Sequence, residues 1–252
     1  MKIPRSVCIR TGSLIFLLTL FLGACGIEDY PVIYPIPQSN INQEMNDRAI
    51  VRVPNNYAGT PFTNFAIFYR IYVSDTPQSS VTESTYSAIN SSLASDYSAI
   101  KPYIDSTSIV NTNMETFFQT RGYRYLELQN GNIYDVLSSS VLGTSIEFDF
   151  SSFSRAPSMR IGSSVYTLWR SDGGGLFNPR PDRLFVNREE LWRSENINTT
   201  TNADVVDKSN ISADVRRYTY AAMFIVAVGV NTASYSNIYS TPALIHVFQL
   251  PD

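Results

Sequence analysis

The spacing of apolar positions predicts a chain built mainly of strands. In residues 64–74, Phe65, Ile67, Tyr69, Ile71 and Val73 share one face, and Ala66, Phe68, Arg70 and Tyr72 share the other. Both faces are largely apolar, which is the pattern of a central strand covered on both sides. Residues 220–230 are more apolar still. The unbroken run Ala221 to Val228 reads as a second buried strand and is too short to cross a bilayer. In 145–150, Ile146, Phe148 and Phe150 alternate with Glu147 and Asp149, so that strand should be half buried. Shorter strands are predicted at 48–53, at 184–186 and at 241–250, with a hairpin of 158–161 and 165–170 around Gly162-Ser163-Ser164. Another hairpin is predicted between 123–129 and 132–137, because Asn130-Gly131 is the residue pair that a type I′ turn prefers.

Elsewhere the period changes. Tyr86, Ile89, Leu93, Tyr97 and Ile100 step by three and four, which predicts a helix over 81–100. Ser80 and Glu83 have capping-box spacing at its start, and Pro102 should stop it. A second short helix is predicted over 113–121 with Gly122 just past its end, and a helical turn over 188–193. Residues 172–181, rich in Gly and Pro, and the polar stretches 194–214 and 231–240 read as loops. No internal repeat is visible.

The N-terminus follows a different logic. Lys2, Arg5 and Arg10 precede an apolar run over 13–22, which closes on Leu22-Gly23-Ala24-Cys25. A basic start, a short apolar stretch and small residues before a cut are the parts of an export signal. Residues 26–46 carry Pro31, Pro35 and Pro37 and read as an extended tether. The run ending in Cys25 resembles the signal and lipobox of bacterial lipoproteins. That resemblance implies cleavage before Cys25, diacylglycerol on its thiol and usually an acyl chain on its new amine. Two or three such chains would anchor the protein to a membrane durably. Gly26 stands where some bacteria place the Asp that retains a lipoprotein at the inner membrane, so the outer membrane is favoured. The expected organisation is a leader over 1–24, lipidated Cys25 and a tether to 46, and a domain over 47–252.

With the leader removed, composition narrows the chemistry. Three of the 19 Lys and Arg are lost, leaving 16 against 22 Asp and Glu, a net charge of −6. Such a domain, without a basic cluster, is a poor nucleic-acid ligand. Of the two cysteines, Cys8 leaves with the leader and Cys25 is acylated, so no disulfide or thiolate metal site is expected. The single histidine, His246, shares an expected strand face with Leu244 and Phe248 and reads as a packed residue. One histidine, with no Gly-x-Ser-x-Gly turn, argues against zinc and serine-triad chemistry. No cofactor is implied, and the chain reads as non-enzymatic.

The last part of the chain resembles the final strands of a fibronectin type III domain. The matching residues are Val226-Ala227-Val228-Gly229-Val230-Asn231, Ser240-Thr241-Pro242 and Ile245-His246-Val247-Phe248, while Tyr69 to Ser74 looks like the third strand of that family. The resemblance implies a mainly β fold, an immunoglobulin/fibronectin III-like β-sandwich with a large α/β insertion at 75–215. Modules of this kind commonly bind or space other molecules, although a fold does not give a function.

Two sets of candidate contacts stand out. Glu147 and Asp149 lie on one strand face, roughly 7 Å apart; such a pair can serve glycoside hydrolysis or hold Ca²⁺, and is more commonly a wet strand face. The domain is rich in tyrosine, with 16 in the chain, and Tyr123, Tyr125 and Tyr134 fall in the expected insertion. Tyrosines anchor protein interfaces and stack on sugars. The leading expectation is therefore an envelope lipoprotein that binds a partner, in assembly or adhesion. The alternative is a surface lipoprotein that binds or hydrolyses glycans.

Overall fold

The computed structural model describes residues 31–57, 60–106, 112–151, 156–170, 192, 197, 204–206 and 217–251. The leader, Cys25, the glycine-rich loop at 172–181, the element expected at 184–186 and, apart from Trp192, the helical turn expected at 188–193 lie outside the described residues. From Val32 onward the chain is one compact unit.

The fold is mainly β, with two antiparallel sheets that curl into a half-barrel. The first contains β1 (Ile41–Met45), β2 (Arg48–Arg52), β6 (Ser145–Asp149), β7 (Ser158–Ile161), β8 (Ser164–Trp169) and β5 (Glu127–Leu128), paired in that order. In the second, β10 (Tyr218–Asn231) lies along β3 (Phe62–Ser74) for almost its whole length. The other edge of β10 is shared by β12 (Ala243–Gln249) and β11 (Ser236–Tyr239). Outside β3 sit β4 (Arg124–Tyr125), antiparallel, and β9 (Val205–Val206), the one parallel pairing described.

The period-2 reading of β3 and β10 explains the layering. Phe65, Ile67, Tyr69 and Ile71, with Ala221, Met223, Ile225 and Ala227, join Val51, Ile146, Phe148 and Met159 of the first sheet in one core. The opposite residues, Phe68, Tyr72, Phe224 and Val226, form a second core with Ile89, Leu93, Ile100 and Phe118 from the helices. The second sheet is therefore buried on both faces, as the sequence of 64–74 predicts. Residues 75–215, expected as an insertion, supply four of the six strands of the first sheet and the helices α1 (Tyr86–Ile89), α2 (Ser91–Ile104), α3 (Met114–Thr120) and α4 (Ile133–Val136). These described strands and helices are part of the body rather than an appendage.

Several elements depart from expectation for identifiable reasons. The helix predicted over 81–100 breaks at Asn90, whose backbone is extended and whose side chain is buried. That side chain accepts from the Ser92 amide at 2.9 Å and donates to the Val73 carbonyl at 2.9 Å, so it caps α2 while fastening it to β3. The capping box is made by Thr82 and Thr85 in place of Ser80 and Glu83. Pro102 does not stop α2, which runs on to Ile104; in the last turn the missing proline donor costs only one bond of the ladder. α3 forms as predicted, capped by Asn113, with Gly122 in the left-handed region at φ +77°.

The hairpin expected around Asn130-Gly131 is absent. β4 pairs with β3 and β5 with β8, so the chain crosses from one sheet to the other at Leu126. Residues 132–137 instead form α4, in which Asn132 accepts from the Tyr134 amide while Ile133 and Leu137 enter the core. The stretch read as a tether is also structured over its second half. Ile33 and Ile36 are buried and 41–45 form β1. The loop expected at 231–240 contains β11.

Candidate functional site

The strand ends meet at a cleft. The turn from β1 to β2 contributes Met45, Asn46 and Asp47; the chain leaving β6 contributes Phe150 and Ser151; the end of β12 contributes Gln249, Leu250 and Pro251; and Ser79 closes one side. The cavity measures about 480 Å³. Its walls are pinned by backbone and side-chain bonds. The Gln249 amide donates to the Asn46 carbonyl at 2.7 Å, and the Phe150 amide donates to the Asp47 carbonyl at 2.8 Å. The Asn46 side chain accepts from the Val81 amide and donates to the Gln78 and Ser79 carbonyls.

Two carboxylates lie at or beside this cleft with different hydrogen-bond surroundings: Asp47 lines it, and Asp149 ends β6 just before the lining residues Phe150 and Ser151. Asp149 accepts from the Ser151 hydroxyl at 2.5 Å and from the Ser151 amide at 2.9 Å, and the Arg48 Nε lies 3.5 Å away. Burial pushes its pKa up, but the Ser151 bonds and Arg48 together outweigh burial and hold it below the ordinary carboxylate value. Asp47 has no such support: its Oδ1 is enclosed and has no hydrogen-bond partner. An enclosed polar atom without a partner is uncommon in a native structure, because its lost hydration is not replaced.

His246 borders the same region. Its Nε2 lies 2.8 Å from the Met45 carbonyl and therefore carries the proton it donates. A bulge in β12 lies between the pairings of Leu244 with Phe224 and of His246 with Met223. It sends Leu244 to the helix-side core and Ile245 to the other, so the expected common face of Leu244, His246 and Phe248 is not kept. Gln38 bonds both the amide and the carbonyl of Leu244, and Gln43 donates to the Ile245 carbonyl. Side chains thus seal the seam between β1 and β12 where no continuous ladder runs.

Burial lowers the His246 pKa from 6.5 to about 4, against a small opposing effect of the Met45 bond. A pKa depressed in the folded state means that the unfolded chain takes up the proton first. The associated stability is whole above pH 6.5 and is lost as pH falls towards about 4. The loss should reach roughly 3 kcal/mol at 1.36 kcal/mol per pH unit. Urea unfolding at pH 7 and pH 4.5 checks this: His246→Gln should flatten the difference relative to the parent, whereas equal slopes would contradict the burial argument.

The residues singled out in the sequence do not converge on one site. Glu147 is exposed on the outer strand face, 3.9 Å from the Arg160 Nε, and Asp149 precedes the lining residues Phe150 and Ser151 without lining the cleft itself. Tyr123 is wholly buried, so it is a core residue and not a surface contact. Its hydroxyl lies 2.9 Å from that of Tyr72, which donates to Asp96 at 2.6 Å beside the Arg70 ion pair. Tyr125 and Tyr134 do come together, edge to face, with centroids 6.0 Å apart. Glu115 of α3 lies between them and β11, where it accepts from the Tyr239 hydroxyl at 2.6 Å and from Gln119 at 3.2 Å.

Burial, with Glu115 adding to it, pushes the Tyr134 phenol up to about 12 and raises Tyr125 and Tyr239 as well. All three stay protonated, and the Tyr239 hydroxyl donates to Glu115 while Tyr125 and Tyr134 pack edge to face beside it, so α3 and β11 are fastened around one carboxylate. Asp47 and Gln249 carried no signal in the sequence, because the cleft exists only where distant segments meet.

Among the described residues, no group of three or more His, Cys, Asp or Glu could hold a metal ion, and no helix is long and apolar enough to cross a membrane. Comparison of the chain with protein-family models, curated proteins and solved structures found no match.

Proposed function

We propose that this chain is a lipid-anchored protein of the bacterial envelope, tethered through Cys25 to the outer membrane, whose folded domain works by binding rather than by catalysis. The observation that carries this reading is the run Leu22-Gly23-Ala24-Cys25 behind a basic start and a short apolar stretch. The cleft at the strand ends supports the binding half: it is concave, pinned on several sides and of a size that small groups fill. The neighbour order β3-β10-β12 supports a fibronectin-like reading of those three strands. The glycan alternative is less well supported, because Glu147 and Asp149 each face an arginine and the Tyr125–Tyr134 pair already packs upon itself.

The anchor is tested by metabolic labelling with a clickable fatty acid. Cys25→Ser should abolish the label and release the protein from the membrane fraction. A Cys25→Ser protein that still carries label would overturn the assignment.

A further inference from the structure

The two ends of β10 differ in charge. Near its first residues lie the cleft and, around it, Glu44, Asp47, Arg48 and Asp149. At its last residues four segments meet, 31–40, 60–69, 136–146 and 226–240. The Val230 amide donates to the Pro61 carbonyl at 3.1 Å, the Phe65 amide donates to the Leu137 carbonyl at 2.9 Å, and Ile33 lies against Gly229 so closely that a side chain there would have no room. In a chain with 19 Lys and Arg and 22 Asp and Glu, these four segments hold none. Two large exposed side chains stand at this end, Tyr34 at 54% and Tyr235 at 88%. Tyr235 sits in the turn from β10 to β11 with φ +54°, the one described non-glycine residue in the left-handed region. Asn231 accepts from the Ala233 and Ser234 amides and shapes that turn. The turn thus holds an aromatic ring out from the body at a conformational cost.

We propose that this uncharged end of the domain, with Tyr34 and Tyr235 exposed on it, rests on the lipid headgroups of the membrane that holds Cys25. The proposal rests on the anchor reading above and adds a second contact with the same membrane. Ile33 is buried in the body, so little free chain is left before it. From Cys25 to Val32 the chain extends at most about 25 Å. β10 has 14 residues and is about 45 Å long. The anchor therefore draws its own end of β10 to the bilayer and leaves the cleft end further out. The chemistry of this end suits a lipid surface. A tyrosine places its apolar ring and polar hydroxyl at the headgroup level, and segments without carboxylates meet no repulsion from anionic lipids. The contact turns the cleft away from the membrane, towards the side from which a partner arrives.

The test uses the full-length acylated protein in vesicles of phosphatidylethanolamine and phosphatidylglycerol, with lipids spin-labelled at the headgroup as short-range quenchers. Ala233→Cys, in the turn after β10, and Ser80→Cys, beside the cleft, are both at exposed positions. Each takes one thiol-reactive fluorophore, since the Cys25 thiol is acylated. Quenching should be several times stronger at position 233 than at position 80. Adding Tyr34→Asp and Tyr235→Asp to Ala233→Cys should lower quenching at 233 severalfold; both side chains are exposed, so the variant keeps its core. Equal quenching at the two positions, stronger quenching at 80, or quenching at 233 that ignores the two aspartates would overturn the proposal. The anchor is read separately by peptide mass: fluorophore found on Cys25 sinks the anchor reading, whereas acylated Cys25 without quenching at 233 sinks the lipid contact alone.

Discussion

Phe224→Asp should yield no folded protein. Phe224 lies at the middle of β10, 1% exposed, with ring centroids 5.4 Å from Phe118 and 5.6 Å from Tyr123. β10 has β3 on one edge and β12 and β11 on the other, so the strand cannot leave the sheet to hydrate a charge. Deleting a buried phenylalanine alone costs about 3–5 kcal/mol. An enclosed carboxylate without a partner adds several more, against a total stability of about 5–15 kcal/mol. Soluble yield, near-ultraviolet circular dichroism and resistance to protease measure the outcome. Phe224→Leu, which keeps most of the apolar burial, should fold with a lower unfolding midpoint. Protease-resistant Phe224→Asp would show that the two-core arrangement around β10 is wrong.

What the sequence reveals of this fold follows from the range of each signal. β3, β6, β10, the β7–β8 hairpin and α3 are legible because alternation and capping are local. The failures come where a local signal has two physical uses. Asn130-Gly131 could serve a type I′ turn, yet such a turn needs two residues with positive φ, and Gly131, at φ +104°, is the only one of the pair that has it. Asn132 then has a use as a helix cap, and Ile133 and Leu137 are four apart, so α4 satisfies both the cap and the core.

Prolines in 31–37 suggest an extended tether, but they hid Ile33 and Ile36, whose burial depends on surfaces formed by the far end of the chain. Charge on the outer face of β6 was legible at Glu147 and Asp149. The cleft was not, since Asp47, Ser151 and Gln249 become neighbours only when both sheets have formed.

The buried ion pair of Arg170 and Asp204 shows the same limit and gives the second large effect. Asp204 falls in the stretch 194–214 that its polar composition marks as loop, and its partner is distant in sequence. In the fold its side chain is 0% exposed and that of Arg170 3%, with Nε donating to Oδ2 at 2.6 Å and Nη2 donating to Oδ1 at 2.8 Å. The Asp204 carbonyl also accepts from the Ile71 amide at 2.9 Å, just before β9 pairs with β3. The pair therefore ties the end of β8 in the first sheet to the outer edge of the second.

Desolvating two charges roughly cancels their attraction, so the pair as a whole adds little net stability, but removing Arg170 leaves the buried Asp204 carboxylate without its guanidinium, and removing Asp204 takes two charged bonds from the buried Arg170. Asp204→Ala and Arg170→Ala should each lose about 3–5 kcal/mol in urea unfolding. The double variant Arg170→Met with Asp204→Leu, which replaces both charges by apolar volume, should recover most of that loss. The coupling measured by the cycle, rather than either single value, is the quantity that matters. Single variants that each cost less than about 1 kcal/mol, as exposed pairs do, would show that water reaches the pair and that β9 is held by its backbone alone.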